Sequence, residues 1–204
     1  MPNVTIDIYS DIICPWCYIG KKRLEEALEM RPDLKADIRW RAYLLNPTMP
    51  RGGIDRQLYL KQKFGEAANA VYDRIGLAGK EAGISFRFDA IGKTPETSAI
   101  HTLLIAAGKS SFSLSERFFQ AYFLEGRDIS DAEVQTQLIE DEGCHSAYTK
   151  ENLQSAANQI NEDLQFGSQL GIDGVPFFVF NNQFSLAGAH PPHVLLSAID
   201  AAIA

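Results

Sequence analysis

The feature that most limits what this chain can fold into is the tetrapeptide Cys14-Pro15-Trp16-Cys17. It follows a strand-like run at residues 4–10 and begins a helical pattern. Two cysteines three positions apart at the start of a helix lie on one face, so their sulfur atoms can form a disulfide that closes a small ring. A CxxC motif between a strand and a helix is typical of a thiol–disulfide redox site.

The position of each cysteine in the motif predicts its role. Pro15 suits the first position of a helix, where a backbone N–H is not needed, and this places Cys14 at the N-cap. There the sulfur faces unpaired backbone N–H groups and the positive end of the helix dipole, and both favour the thiolate. Cys17 lies one turn further in and receives less of this stabilisation. We therefore predict that Cys14 is the reactive thiol and Cys17 the resolving thiol.

Two simpler interpretations of the motif fit this sequence less well. A zinc site needs four ligands, but the chain has only one further cysteine, Cys144, and no second CxxC motif. No metal site is therefore predicted. A purely structural disulfide is rare in cytosolic proteins, and this ring would be very small. Cys144 itself is expected to be a plain small side chain, with a second redox role as the alternative.

Composition limits the classes of partner. The 204 residues are 46% hydrophobic and 22% charged, as in an ordinary globular chain with one large domain or a domain with an insertion. The net charge of −7 and the lack of a Lys/Arg cluster argue against nucleic acid and anionic membranes as partners. The chain has neither a signal-like segment nor an apolar run that could span a bilayer, so a cytoplasmic protein is expected. The sequence leaves open whether the protein is a monomer or a homodimer.

Hydrophobic periodicity divides the chain into a split α/β core and a long helical insertion. Strand patterns occur at 4–10, 36–43, 175–180 and 184–187, and the pattern from about 54 to 170 is almost all helical. The first two strands should be parallel because a helix connects them, and the last two should form an antiparallel hairpin. We predict an α/β thioredoxin fold with a central mixed sheet. Its core comprises residues 1–53 and 171–204, and the insertion comprises residues 54–170, whose last helix joins the core.

With this order of elements, the sequence resembles the DsbA-like branch of the thioredoxin superfamily, in particular the FrnE-type cytoplasmic proteins. The segments that carry the resemblance are SDIICPWCYIG (10–20), LNP (45–47), YLKQKFG (59–65), FQAYFLEG (119–126) and GIDGVPFF (171–178). They extend over nearly the whole chain in the family order. The resemblance implies a dithiol–disulfide oxidoreductase in which Cys14 is the nucleophile and Cys17 the resolving thiol. It also implies a cis peptide bond between Val175 and Pro176.

The cis bond would give the residues beside the motif a role in binding. Cis peptide bonds are essentially confined to X–Pro, and a proline cannot complete the hydrogen bonding of a core strand. Both facts make sense if Pro176 packs against the sulfur of Cys14. The carbonyl and N–H of Val175 would then face outward to pair with an extended substrate. A trans proline that merely begins a strand is the alternative.

Further residues near the motif are candidates for the site. Pro15 and Trp16 are expected to contact substrate. Trp16 stands where the most oxidising relatives carry histidine and brings no positive charge beside Cys14, so we predict a reduction potential between about −270 and −120 mV. Asp11 could relay a proton to or from Cys17, or it could simply cap a turn. His190 could border the site, and His101 is expected at a helix–helix contact.

Two other functions compete with disulfide exchange. Relatives of this fold include glutathione-dependent isomerases of the 2-hydroxychromene-2-carboxylate type and kappa-class glutathione transferases, which usually carry serine at the position of Cys14. The presence of both cysteines favours redox chemistry on protein or small-thiol disulfides, with no bound cofactor and with glutathione as a candidate co-substrate. A binding module with an incidental CxxC is the remaining alternative, and it would not depend on the redox state.

Overall fold

The computed structural model describes residues 3–204, so the first two residues of the predicted core lie outside the described part. The strands are β1 (Asn3–Ser10), β2 (Lys35–Ala42), β3 (Ile54–Asp55), β4 (Lys93–Thr94), β5 (Phe177–Phe180) and β6 (Phe184–Ala187). The helices are α1 (Pro15–Glu29), α2 (Arg56–Phe64), α3 (Ala68–Glu81), α4 (Ser98–Ala106), α5 (Ser111–Phe123), α6 (Ala132–Asp141), α7 (Lys150–Gln169) and α8 (Pro192–Ile203).

The central sheet has the strand order β2-β1-β5-β6. β1 and β2 are parallel, with Asn3 opposite Lys35 and Ser10 opposite Ala42. β5 runs antiparallel to β1, and β6 returns beside β5 as a hairpin. Both strand-pairing predictions are therefore confirmed. Because β1 lies inside the sheet, the loop that follows it emerges from the middle of the fold, and that loop carries the motif.

Side chains of β1 alternate between two layers of helices. Val4, Ile6 and Ile8 are buried with α1 and α8 on one face. On the other face, the ring of Tyr9 lies beside α7, where a Cβ added to Gly167 would be 3.5 Å from the ring. The sheet is thus covered by helices on both faces, as the predicted α/β fold requires.

The helical segment between β2 and α7 has its own aromatic core. Phe118, Phe119 and Phe123 on α5 are fully buried. The ring of Tyr18 on α1 stacks on Phe119, with centroids 4.9 Å apart and planes inclined by 9°. Cys14 and Cys17 belong to this same buried cluster. The motif therefore lies where α1 leaves the sheet and meets the helical segment.

Three local features differ from the prediction. A two-stranded sheet of β3 and β4 interrupts the segment predicted as entirely helical. The helical pattern predicted through residues 60–75 is divided at Gly65, whose φ of 55° is incompatible with continuing the helix. β5 begins at Phe177 rather than at Val175, because Pro176 has no N–H to donate to a neighbouring strand. None of the helices within residues 3–204 is both long and apolar enough to cross a bilayer.

Candidate active site

Cys14 is at the N-cap of α1, as predicted. Its backbone is extended (φ −93°, ψ 112°), and Pro15 occupies the first helical position. The Cys14 carbonyl accepts hydrogen bonds from the N–H groups of Cys17 (3.0 Å) and Tyr18 (3.4 Å), which begin the helix. The Cys14 thiol is directed at the carbonyl oxygen of Val175, with Sγ 3.6 Å from that oxygen. The nucleophile predicted from the sequence is thus positioned between a helix N-terminus and the loop before β5.

Cys17 has a different environment from Cys14. Both are free thiols, and the Cys17 side chain is 2% exposed. Burial, together with the hydrogen bond and charge of Cys14, raises the pKa of the Cys17 thiol well above its usual range. The Ser10 hydroxyl and the Asp11 backbone N–H oppose this shift in pKa but do not outweigh it. Cys17 is therefore a protonated thiol at neutral pH and needs a base before it can attack a disulfide.

The segment before β5 completes the site. The Val175–Pro176 peptide bond is cis, the conformation that the resemblance implies. The Val175 carbonyl, which we expected to face outward and be free for substrate, accepts the Cys14 thiol. The Val175 N–H takes part in none of the turn and loop backbone hydrogen bonds of residues 3–204. The Val175 N–H is thus available to pair with substrate, whereas the Val175 carbonyl is in contact with Cys14.

Asp11 lies beneath the motif and is fully buried. Its Oδ2 accepts the N–H of Leu45 at 2.8 Å, and its Oδ1 accepts the N–H of Ile13 at 3.4 Å. The carboxylate therefore holds the loop, as the turn-capping alternative proposed. Its backbone N–H also contacts the resolving thiol, Cys17. Asp11 therefore remains the candidate for the proton relay as well as the residue that caps the turn.

Trp16 and Pro15 differ in accessibility. Pro15 is buried, whereas Trp16 is half-buried at the surface of the site. The guanidinium of Arg74, on α3, is 5.9 Å from the centre of the Trp16 ring. Trp16 carries no charge itself, but it attracts a cation from the helical segment. No local pattern indicated this neighbour, because 58 positions separate Arg74 from Trp16.

His101 was also missed as a member of the site. It is on α4, fully buried, and its Nε2 is 3.6 Å from Oδ1 of Asp11. Its Nδ1 accepts a hydrogen bond of 3.0 Å from the indole N–H of Trp40 on β2. The sequence predicted a helix–helix contact for His101 but not its polar neighbours Asp11 and Trp40. A histidine inside an apolar helix pattern was the available signal, but the sequence did not indicate what it faces.

Other candidate residues lie away from these contacts. The Nε2 of His190 is 2.9 Å from the carbonyl oxygen of Ala187, the last residue of β6. Cys144 is buried after α6, and its thiol is directed at the Ile139 carbonyl, 3.7 Å away. In the described part of the chain, no group of three or more His, Cys, Asp or Glu side chains is arranged to hold a metal ion.

Residues 5–200 match the DSBA-like thioredoxin domain family. The chain belongs to this family. Among solved structures it is similar to a protein from Streptomyces coelicolor described as a "probable DsbA oxidoreductase", with 28% identity, a TM-score of 0.82 and coverage of 98% of this chain and 89% of the other.

Two more distant DSBA-like neighbours share the fold. One is the cytosolic disulfide reductase DsbM of Pseudomonas aeruginosa, at 18% identity and a TM-score of 0.62, with 97% of this chain and 94% of that chain covered. DsbM has also been solved with glutathione. The other is a 2-hydroxychromene-2-carboxylate isomerase, at 16% identity and a TM-score of 0.68, with 97% and 95% covered. The DSBA-like fold therefore accommodates both redox enzymes and isomerases.

Proposed function

We propose that this protein is a thiol–disulfide oxidoreductase that acts through Cys14 and Cys17 on protein or small-thiol disulfides, as a FrnE-like member of its family. The observation that carries the proposal is the inequality of the two thiols. Cys14 is at a helix N-terminus, against the Val175 carbonyl. Cys17 is buried and holds its proton. Disulfide exchange requires one attacking thiol and one that acts later, and this arrangement supports that division.

The proposed reaction has two exchange steps. The Cys14 thiolate attacks a substrate disulfide, so that a Cys14–substrate bond forms and one substrate thiolate leaves. Cys17 then gives its proton to a base and attacks the sulfur of Cys14. The internal disulfide forms, the second substrate thiolate leaves, and the substrate is reduced by two electrons. The reverse sequence oxidises a dithiol.

Asp11 is our candidate for that base. Asp11 is fully buried and its backbone N–H contacts Cys17, and its Oδ1 accepts only a long hydrogen bond of 3.4 Å from the Ile13 N–H. A carboxylate with an incompletely satisfied oxygen can accept a proton. Pro15, Trp16 and the N–H of Val175 are proposed to contact the substrate, with Pro176 holding the Val175 backbone at the nucleophile.

Glutathione is the proposed small-thiol partner, and no bound cofactor is required. The protein that supports this choice is DsbM, which has been solved with glutathione. We also propose a cytoplasmic location, where glutathione is abundant. In the reducing direction, one glutathione thiolate attacks Cys14, so that a Cys14–glutathione bond forms and Cys17 leaves as a thiolate and takes up a proton. A second glutathione then attacks the glutathione sulfur of this bond, glutathione disulfide leaves, and both cysteines are reduced.

Covalent trapping tests the proposal. A Cys17→Ala variant cannot resolve the intermediate and should accumulate a Cys14-linked mixed disulfide, visible by non-reducing electrophoresis and mass spectrometry. A Cys14→Ser variant should trap nothing, and Cys144→Ala should behave as the wild type. If Cys17→Ala traps no more than Cys14→Ser does, the proposed function is wrong. Identifying the trapped species in cells would also separate protein substrates from glutathione.

The alternative function is that of a glutathione-dependent isomerase or transferase. The observation that favours it is the structural similarity to a 2-hydroxychromene-2-carboxylate isomerase. Such an enzyme only positions the glutathione thiol and needs no resolving cysteine. Its activity would survive Cys17→Ala, whereas the turnover of a disulfide enzyme would be lost. The same variant therefore discriminates between the two functions.

A further inference from the structure

A chain of three polar side chains extends from the sheet to the redox loop. Trp40 on β2 donates its indole N–H to Nδ1 of His101 at 3.0 Å. The other ring nitrogen of His101, Nε2, faces Oδ1 of Asp11 at 3.6 Å. The Asp11 and His101 side chains are fully buried, and Trp40 is 6% exposed. The three residues come from β2, α4 and the loop after β1, so the tertiary fold alone brings them together.

The contact with Trp40 fixes the tautomer of His101. An indole nitrogen can only donate a hydrogen bond, so Nδ1 must be the acceptor and carries no proton. The ring is therefore neutral, with its single proton on Nε2, the nitrogen nearest to Asp11. His101 can give a hydrogen bond to the carboxylate, but it cannot take up a proton without losing the bond from Trp40.

The Nε2–H group has no hydrogen-bond partner in the described structure, although it is buried. A buried donor without a partner is costly and uncommon. Oδ1 of Asp11 lies 3.6 Å from it. This is also the less satisfied oxygen of that carboxylate, since Oδ2 has the shorter bond to Leu45. A shift of less than about 1 Å would bring the two atoms to ordinary hydrogen-bond distance.

We propose that His101, held by Trp40 as a neutral donor, is a positioning residue that keeps Asp11 ionised and aimed at the proton of Cys17. This inference rests on the proposed function and acts at its second step. Cys17 gives its S–H proton to Asp11, the Cys14–Cys17 bond forms, and the bond between Cys14 and the substrate breaks. The departing thiolate takes a proton from solvent, and Asp11 then releases the proton it holds. His101 donates a stronger hydrogen bond to the charged carboxylate than to the neutral acid, so it favours the form that can act as a base.

The titratable groups around Asp11 come from three directions. His101 faces Asp11 from α4. Cys17, on α1, contacts the Asp11 backbone and is itself in contact with Cys14. Tyr43 lies just after β2. Burial raises the pKa of Tyr43, with the charge of Asp173 adding to the shift and that of Lys63 opposing it, so the phenol stays neutral across the range in which a carboxylate titrates. Loss of the His101 donor should therefore move the acid side of the resolving step toward higher pH, by about one pH unit or more.

A stopped-flow experiment with an aromatic disulfide isolates this step. Reduced protein is mixed with 5,5′-dithiobis(2-nitrobenzoate), which releases one coloured thiolate when Cys14 attacks and a second when Cys17 resolves the intermediate. We expect His101→Phe to shift the pH profile of the second phase upward while the first phase keeps its rate. His101→Gln retains an N–H donor and should restore part of the profile. His193→Gln, at an exposed position on α8, should match the wild type in both phases.

The outcomes separate this inference from the proposed function. A wild-type protein that releases only one thiolate would contradict the proposed function itself. A wild type with two phases and a His101→Phe variant with an unchanged second-phase profile would overturn the role of His101. If His101→Phe does not fold, nitrogen NMR of the wild type decides the question. An Nε2–H tautomer is expected in the folded protein, and an Nδ1–H tautomer would refute the proposal.

Discussion

The ring of Pro176 lies directly against Gly20, one turn beyond Cys17 on α1. A Cβ at position 20 would be 2.7 Å from Cγ of Pro176 and 3.3 Å from the ring of Phe178. The proline loop thus approaches the redox helix closely because residue 20 has no side chain. This contact fixes the distance between the loop that carries Val175 and the helix that carries both thiols.

We therefore expect Gly20→Ala to disturb both stability and activity. The added methyl group overpacks the contact and should lower the free energy of unfolding by about 1–3 kcal/mol, measured by urea denaturation. It should also slow turnover, since the loop that presents the Val175 N–H to substrate is displaced from the redox helix. Gly76→Ala is the matched control, because a Cβ there meets nothing within 4 Å and position 76 is inside α3. That variant should be neutral or up to about 1 kcal/mol more stable, and equal effects at both positions would contradict the role of the contact.

The motif and its helix could be predicted because they depend on neighbours in the sequence. Pro15 and the alternation of β1 determine the N-cap at Cys14 without reference to the rest of the chain. The parallel pairing of β1 with β2 follows from the helix that connects them. What surrounds the motif could not be predicted in this way. Trp40 and His101 meet across 61 positions, and no local pattern specifies such a contact.

The Val175 carbonyl illustrates a second limit. The resemblance implied a cis bond before Pro176, but it did not specify which way the preceding carbonyl turns. In this structure the Cys14 thiol is directed at that carbonyl, with Sγ 3.6 Å from the oxygen. The two residues are 161 positions apart, so no local pattern in the sequence specifies their contact.

Glu116 on α5 holds the redox helix against the helical segment, and its ionisation should be visible in stability. The Tyr18 hydroxyl donates to Oε1 at 2.8 Å, and Nζ of the buried Lys21 is 3.1 Å from Oε2. Burial opposes ionisation, but the charge of Lys21 and the hydroxyl of Tyr18 outweigh it and lower the pKa of Glu116. A lowered pKa means that the stabilisation is present above about pH 4.5 and is lost as the pH falls through the folded-state pKa.

Glu116→Gln should accordingly lose about 1–3 kcal/mol of stability at pH 7 and much less at pH 3. Unfolding by urea at both pH values measures the difference. Asp141→Asn provides the comparison, since Asp141 pairs with Arg117 at the surface, where both side chains are more than a third exposed. An exposed pair contributes little. A loss at Glu116 that does not depend on pH would show that shape, rather than charge, is what this residue supplies.

Trp16→His should make the protein more oxidising. A positive imidazolium beside Cys14 stabilises the reduced thiolate, and each 1.4 kcal/mol of that stabilisation raises the potential by about 30 mV. We expect a wild-type potential between about −270 and −120 mV and a variant at least about 30 mV higher at pH 6, measured by equilibration with glutathione. The increase should fade at pH 8, where histidine is neutral. Trp16→Phe controls for the loss of the indole and of its contact with Arg74, and a shift of the same size in both variants would exclude the charge as the cause.

The buried state of Cys17 predicts how the reduced fold responds to alkali. Because burial raises the pKa of this thiol well above its ordinary value of 9.0, the folded protein keeps the proton that the unfolded chain releases. The stability that this provides is complete below about pH 9 and is lost as the pH rises further, at about 1.4 kcal/mol per pH unit. The Cys17→Ala variant lacks this thiol. The wild type should therefore lose about 1.4 kcal/mol of unfolding free energy per pH unit relative to the variant between pH 9 and 10.5. Urea denaturation with excess reductant measures the difference. Buried tyrosines contribute equally to both proteins and cancel. Parallel curves over this range would mean that Cys17 ionises in the folded protein as readily as in water, and the division of labour between the two thiols would then have no basis.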